Sequence, residues 1–315
     1  MSFMRVASFF AGVGGIDLAF KSVGFEVIWA NELDSKACTT YRSNFDSELF
    51  EGDIRKIKAK NIPDFDVMVG GFPCQAFSVA GARQGFNDRR GNLFFELERI
   101  FRSKKPQVVF LENVKHLVGH DDGNTFRTIL SRLHKAKYYV KYQVLNACEY
   151  GNLPQNRERI YIVAFRDRVA YREFEFPDPI KLTNNLASFI DFENPQDERF
   201  YYTPDKFDFY NVLKQDITSA DTLYQWRRVY VRGNKRNVCP TLTANMGMGG
   251  HNVPLVLTKF GIRKLTPREC FNFMGFPATY NLPDLSLSQL YKQAGNSVAV
   301  PVVTRIADHI GIATE

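Results

Sequence analysis

Short apolar runs alternate with amphipathic stretches through the first half of the chain. Runs at residues 6–10, 26–31, 66–69, 108–112, 139–145 and 160–165 predict strands, and 47–50 is a further candidate. Between them, apolar positions at helical spacing predict helices over 16–23, 35–44, 93–101 and 125–135. Strand–helix alternation at this spacing predicts an α/β fold with a mostly parallel sheet covered on both faces. The stretch Val108-Val109-Phe110-Leu111 has the near-continuous apolar character of a strand buried on both sides.

The pattern changes after about residue 167. Residues 174–264 carry Pro177-Asp178-Pro179, Asn184-Asn185, Asn194-Pro195 and many aromatics, with no strand–helix rhythm, which predicts a smaller irregular domain. Helical character returns at Thr266-Pro267-Arg268-Glu269, which reads as an N-cap, a proline in the first helical position and a capping-box glutamate. A last helix is predicted over 300–310. The simplest layout is a large domain made of 1–173 plus 265–315, interrupted by a small one at 174–264.

The first predicted strand runs into Phe9-Phe10-Ala11-Gly12-Val13-Gly14-Gly15 and then a helix. Glycines at such a turn let the backbone approach a ligand closely. The dinucleotide fingerprint G-x-G-x-x-G fails, because its third glycine falls on Asp17, and this disfavours NAD or FAD. Glu32 follows the second strand, where an acidic group can bond ribose hydroxyls, and Asp53 follows the possible third. Each residue alone is an ordinary turn glycine or surface carboxylate. Together they point to an adenosine-containing cofactor without a pyrophosphate.

A second apolar run ends in Gly70-Gly71-Phe72-Pro73-Cys74-Gln75, which places one cysteine at the mouth of a predicted buried strand. A cysteine so placed can be presented as a nucleophile, whereas the ordinary fate of a free cysteine is a buried inert thiol. The other four, Cys38, Cys148, Cys239 and Cys270, lack such company, and no C-x-x-C pair occurs. That argues against a disulfide framework and structural zinc, and fits a reducing cytoplasm. His116 and His120 lack the glutamate and third ligand of a metal helix, so no metal site is expected.

With 315 residues and 44% hydrophobic positions, the chain can bury a full core. No apolar run approaches the roughly 18 residues of a membrane span, and no signal peptide is expected at the N-terminus. The net charge is +7, and five cations fall within residues 227–236. A basic balance is compatible with a nucleic-acid partner without establishing one; the bland reading of the cluster is a solvated face, but Trp226 and Tyr230 interleave it and favour a binding surface.

Further segments fall at or near the predicted carboxyl edge of the sheet, where open α/β sheets bind ligands. These are Glu112-Asn113-Val114, Gln155-Asn156-Arg157-Glu158-Arg159 and Gly295-Asn296-Ser297-Val298. With Phe10-Ala11-Gly12-Val13-Gly14-Gly15, Gly71-Phe72-Pro73-Cys74-Gln75, Arg90-Gly91-Asn92-Leu93-Phe94, Arg268-Glu269-Cys270 and Gly275-Phe276-Pro277, they stand in a telling order. In that order and spacing, over nearly the whole chain, the sequence resembles the C5-cytosine DNA methyltransferases of small bacterial restriction–modification systems.

The resemblance implies a Rossmann-like, S-adenosylmethionine-dependent methyltransferase sheet with a smaller irregular target-recognition domain inserted. It implies Cys74 as the nucleophile that adds to carbon 6 of a flipped-out cytosine, so that carbon 5 can attack a methyl sulfonium. Glu112 then hydrogen-bonds ring nitrogen 3 as a buried carboxylic acid or shared proton, while Arg157 and Arg159 neutralise charge nearby. For S-adenosylmethionine it implies Phe10, Gly12, Gly14, Glu32, Asp53, Ile54, Pro73, Leu93, Asn296 and Val298. One departure is Leu33, where family members often carry an aromatic residue after the ribose-binding glutamate.

On the DNA side, Gln75, Ser78, Arg83 and Arg90 belong to a loop over 75–91 suited to close on a flipped base. Arg227, Arg228 and Arg232 are candidates for guanine edges, and Thr241 matches a family position beside the flipped nucleotide. The expected partner is duplex DNA, with a cognate restriction endonuclease sharing the site without direct contact. The expected protein is a monomer of the bacterial or phage cytoplasm. Two other readings are methyl transfer to cytosine in tRNA, and a non-catalytic DNA-binding protein on the same scaffold. The second predicts loss of Cys74 or Glu112, and both are present.

Overall fold

The computed structural model describes residues 4–72, 93–234, 237–247 and 252–315. The first half runs β1 (Arg5–Phe9), α1 (Gly15–Ser22), β2 (Glu26–Glu32), α2 (Ser35–Arg42), β3 (Glu48–Glu51), β4 (Val67–Gly71), α3 (Leu93–Lys104), β5 (Val108–Val114), α4 (Asn124–Lys135) and β6 (Tyr139–Asn146). Then come α5 (Ala147–Tyr150), β7 (Glu158–Phe165), α6 (Arg168–Glu173), α7 (Tyr210–Asp216), β8 (Tyr224–Trp226), β9 (Val231–Gly233), β10 (Leu255–Thr258) and β11 (Gly261–Lys264). Three helices close the chain: α8 (Pro267–Phe273), α9 (Leu287–Asn296) and α10 (Val300–Thr314). Two compact units form, one from 1–145, 158–178 and 302–315, the other from 146–157 and 179–301.

The first unit is built on a seven-stranded sheet ordered β3-β2-β1-β4-β5-β7-β6. Strands β1 to β5 are parallel, while β7 runs antiparallel to β5. That reversal matters for the chemistry. It brings the first residues of β7 to the edge where β5 ends, with Arg159 opposite Val114 and Tyr161 opposite Glu112. Alternate strand residues face opposite sides. Ala7, Phe9, Met68, Val109 and Leu111 join Phe94, Leu97, Ile100, Ile129 and Leu133 from α3 and α4 in one continuous core. The intervening Val6, Val67, Val69, Val108 and Phe110 are also fully buried, and Phe110 meets Phe20 of α1 edge-on at 5.4 Å. Both faces are therefore covered, as the apolar runs predicted.

The second unit holds a four-stranded antiparallel sheet ordered β11-β10-β8-β9. Its core is small and aromatic: Tyr202, Tyr224 and Trp226 with Leu213, Ile217, Leu255 and Ile262. The sequence pattern predicts irregular chain here. The strands exist but are three or four residues long, too short to display a two-residue period.

The predicted helix start at Thr266 is present as a complete capping box with Glu269. Glu269 does more than cap. Arg263, 0% exposed, donates to both of its oxygens at 2.7 and 2.8 Å, and the Asp191 amide donates to it at 3.0 Å.

Candidate active site

Glycine and asparagine shape the edge of the first unit's sheet. Strand β1 stops at Phe9, and Phe10 (φ 54°) and Gly12 (φ 58°) turn the chain through left-handed conformations. Phe10 adopts this at a steric cost that Gly12 avoids. Among the described residues nothing lies within 4 Å of where a Cβ on Gly12 would stand, so none of them crowds the turn. Gly14 is the N-cap of α1, and a Cβ there would sit 2.2 Å from the Phe45 ring.

Strand β2 then organises both neighbouring turns. The Asn31 carbonyl accepts from the Ala11 amide at 3.0 Å, and its side chain donates to the carbonyls of Phe50 and Gly52. The Glu32 carboxylate accepts from the amides of Gly12, Leu33 and Asp34, each at 2.8 Å. Leu33 is 66% exposed, an apolar surface beside Glu32. Asp53 caps the single helical turn after β3 and accepts from Arg55 Nε at 2.9 Å. That hydrogen bond, joined by a weaker Coulomb attraction, holds the Asp53 carboxyl below the usual carboxylate range. Ile54 is buried in the core, with its side chain away from solvent, and Leu93 begins α3 packed against the same core.

Glu112 lies at the end of β5, paired in register with Gly71 of β4. A Cβ on Gly71 would stand 3.4 Å from Glu112 Oε2, so the two strand ends are close. Arg159 Nε reaches Glu112 Oε1 at 3.2 Å from β7, and both side chains are largely buried. The neighbouring Asn113 donates to the Phe72 carbonyl at 2.7 Å, which fixes the backbone just before Pro73 and Cys74.

Other sequence-predicted residues belong to the second unit. Arg157 is 2% exposed and donates to the carbonyls of Leu242, Gly295 and Ser297. Gln155 beside it donates to the Phe273 carbonyl at 2.7 Å. A Cβ on Gly295 would stand 2.2 Å from the Thr243 backbone, so only glycine fits that contact. Asn296 is exposed at the end of α9, Val298 is buried, and the Thr241 hydroxyl donates to the Asn156 carbonyl at 2.6 Å. Arg227, Arg228 and Arg232 lie on the β8–β9 hairpin and are exposed. Pro73, Cys74, Gln75, Ser78, Arg83 and Arg90 lie outside the described residues.

The structure thus gathers Phe10, Gly12, Gly14, Glu32 and Asp53 around the ends of β1 to β3, and Glu112 with Arg159 at the ends of β5 and β7. The donor set fits the adenosine-containing cofactor expected from the sequence. An acceptor carboxylate, an exposed apolar side chain and an open glycine turn stand side by side.

Three contributors went unassigned from sequence. Asn31 gave no signal beyond its place at a strand end. Gln155 and Asn113 fall inside recognised motifs, but the carbonyls they hold are distant in the chain.

Three other thiols, Cys38, Cys239 and Cys270, are buried and chemically quiet. Burial pushes Cys38 up to about 12 and holds Cys239 and Cys270 well above the ordinary thiol value.

The family model described as C-5 cytosine-specific DNA methylase matches residues 4–311. The chain is 60% identical over 309 residues to the Type II methyltransferase M.Bsp6I of Bacillus sp. (strain RFL6), covering 98% of each protein. It is 40% identical to M.HhaI of Haemophilus parahaemolyticus, covering 98% of this chain and 94% of that one. The fold is shared with a DNMT2 mutant from Spodoptera frugiperda at a TM-score of 0.77 and 22% identity, over 98% of this chain and 99% of that one. A family match over nearly the whole chain, with relatives this similar along their full lengths, makes this protein a member of the C-5 cytosine-specific DNA methylases.

Proposed function

We propose that this enzyme transfers a methyl group from S-adenosylmethionine to carbon 5 of cytosine within a short specific sequence of duplex DNA. The observation that carries the site assignment is the Glu112–Arg159 pair, held opposite Gly71 three residues before Cys74. In this reading the Cys74 thiolate adds to carbon 6 of a cytosine turned out of the stack. Electron density then gathers on the ring, and Glu112, as a carboxylic acid or through a shared proton, donates a hydrogen bond to nitrogen 3 to stabilise it. Arg159 keeps the Glu112 carboxyl in place and supplies a positive charge beside it. After methyl transfer a solvent water takes the carbon 5 proton, the electrons of that C–H bond re-form the carbon 5–carbon 6 double bond, and the bond to carbon 6 breaks to release the Cys74 thiolate.

Phe10, Gly12, Gly14, Glu32, Asp53, Leu93, Asn296 and Val298 hold the cofactor, with Glu32 on the ribose, and Pro73 and the backbone at Ile54 complete the pocket. When bound, S-adenosylmethionine supplies the electrophilic methyl group. Arg157 supports the site through the three carbonyls it binds. The target-recognition domain spans 174–264, which contains the small antiparallel sheet, and the catalytic domain spans 1–173 plus 265–315. Gln75, Ser78, Arg83, Arg90, Arg227, Arg228, Arg232 and Thr241 contact DNA. The enzyme works as a monomer in the cytoplasm, protecting a site that a cognate endonuclease cuts.

Labelled S-adenosylmethionine, unmethylated DNA and tRNA test this directly, with modified cytosines mapped by sequencing. Methyl groups should enter DNA at one short sequence, Cys74→Ala should fall to background, and Glu112→Gln should lose about 10²-fold or more in rate. Methylation confined to tRNA, or full activity in Cys74→Ala, overturns the reading.

A further inference from the structure

The β8–β9 hairpin carries a feature that the reading above does not use. Trp226 and Val231 are the last paired residues, and the Arg227 amide donates to the Tyr230 carbonyl at 2.9 Å. Arg228 and Val229 therefore make the turn. Arg228 has φ 68° and Val229 is not in the positive-φ region. The first position of such a hairpin turn favours glycine, so an arginine stands there against its conformational preference.

The turn also displays hydrophobic side chains. Val229 is 81% exposed and Tyr230 57% exposed. Val229 is the most exposed large apolar residue among those described. Cations surround this tip. Arg228 and Arg232 are exposed and have no ion-pair partner among the described residues, while Arg227 is tied to Gln225 at 3.0 Å. The base of the hairpin is firm, because Trp226 stacks on Phe209 with centroids 4.6 Å apart and planes 9° from parallel. An apolar tip ringed by unpaired cations on a braced two-stranded ribbon is complementary to a DNA groove: the cations suit phosphates, and the ribbon fits the major groove.

Building on the assignment of duplex DNA as substrate, we propose that the Val229–Tyr230 tip enters a groove at the recognition site and makes apolar contact with the bases. Arg228 and Arg232 hold the ribbon in register from either side. Val229 and Tyr230 are then specificity-determining residues whose contribution is not electrostatic.

Salt dependence separates the two kinds of contact, because only phosphate contacts release counterions. The probe is a short duplex carrying the sequence that the parent enzyme methylates, titrated at several salt concentrations. The Val229→Ser/Tyr230→Ala double variant should bind it at least about ten-fold more weakly, with the parent's salt slope unchanged. Arg232→Ala should instead flatten the slope by about one. Val229→Ile should bind as the parent does, and S-adenosylmethionine affinity should be equal in all four proteins, which shows that each is folded.

Parent-like binding by the double variant overturns the proposal. So does a flattened slope in that variant, or an equal loss in Val229→Ile. If the parent methylates DNA while the double variant binds it normally, the hairpin proposal alone falls. If the parent neither binds nor methylates DNA, both readings fall.

Discussion

Among the described residues the two most deeply buried carboxylates, one in each unit, are satisfied in opposite ways. Glu269, at the start of α8, meets a full counter-charge from Arg263 and accepts two backbone amides as well. Asp17, in the first turn of α1, is held by neutral donors: the hydroxyls of Ser8 and Tyr41 donate to it at 2.8 Å each, its own backbone amide also bonds to it, and Ser47 lies 2.9 Å from Tyr41. A buried charge that meets a counter-charge recovers part of its lost hydration through the pair, whereas an acid held by neutral donors loses hydration without full compensation. Burial accordingly pushes the Asp17 carboxyl up to about 6, despite hydrogen bonds from Tyr41 and Ser8 that pull it down. The pair acts as a fixed lock, and the lone acid titrates within the working range of pH.

The sharpest way to break this contrast is Glu269→Ala. It strands a buried guanidinium and uncaps α8, and should lower unfolding free energy by about 3–5 kcal/mol in a denaturant titration. A loss below about 1 kcal/mol would equate Glu269 with a surface ion pair and end the comparison.

Asp17→Asn should act in the other direction. The folded-state value lies above the ordinary 3.8, so the stability that Asp17 contributes is complete below that pH and is lost as pH rises through about 6. The asparagine variant does not titrate. It should match the parent at acid pH and exceed it above pH 6 by up to about 3 kcal/mol. Melting temperatures across that range check this, and parallel pH curves would refute it.

The smallest effect is expected from Tyr41→Phe. Removing one donor should cost about 1–2 kcal/mol at neutral pH and much less once Asp17 is asparagine, as a double-mutant cycle would report.

These two sites also show what could be read from the chain alone. The capping box at Thr266 was legible because its partners are three residues apart. The bond from Glu269 to Arg263 was not, since nothing local marks a buried arginine. Asp17 was visible only as the residue that spoils a dinucleotide fingerprint; its partners stand 9 and 24 residues away. The long strands of the large sheet were legible because burial on both faces writes continuous apolar runs. The short strands β8 to β11 were not, and α9 escaped although Ser286 caps it in the ordinary way. Glu112 and Arg159 were expected near one edge, but their 3.2 Å approach depends on the reversed direction of β7, which sequence does not disclose.

The course of the chain between its two units bears on how such an enzyme is rebuilt. The second unit takes its residues from two separate stretches, 146–157 and 179–301, so the backbone crosses from one unit to the other four times. The shorter stretch is not incidental, because Gln155 and Arg157 are bonded to carbonyls of Phe273, Leu242, Gly295 and Ser297. A graft that exchanged only the long stretch would leave those carbonyls facing a foreign partner. Transplanting this unit between relatives therefore takes two coordinated cassettes, and recombination that moves one without the other should yield chimeras that fold poorly.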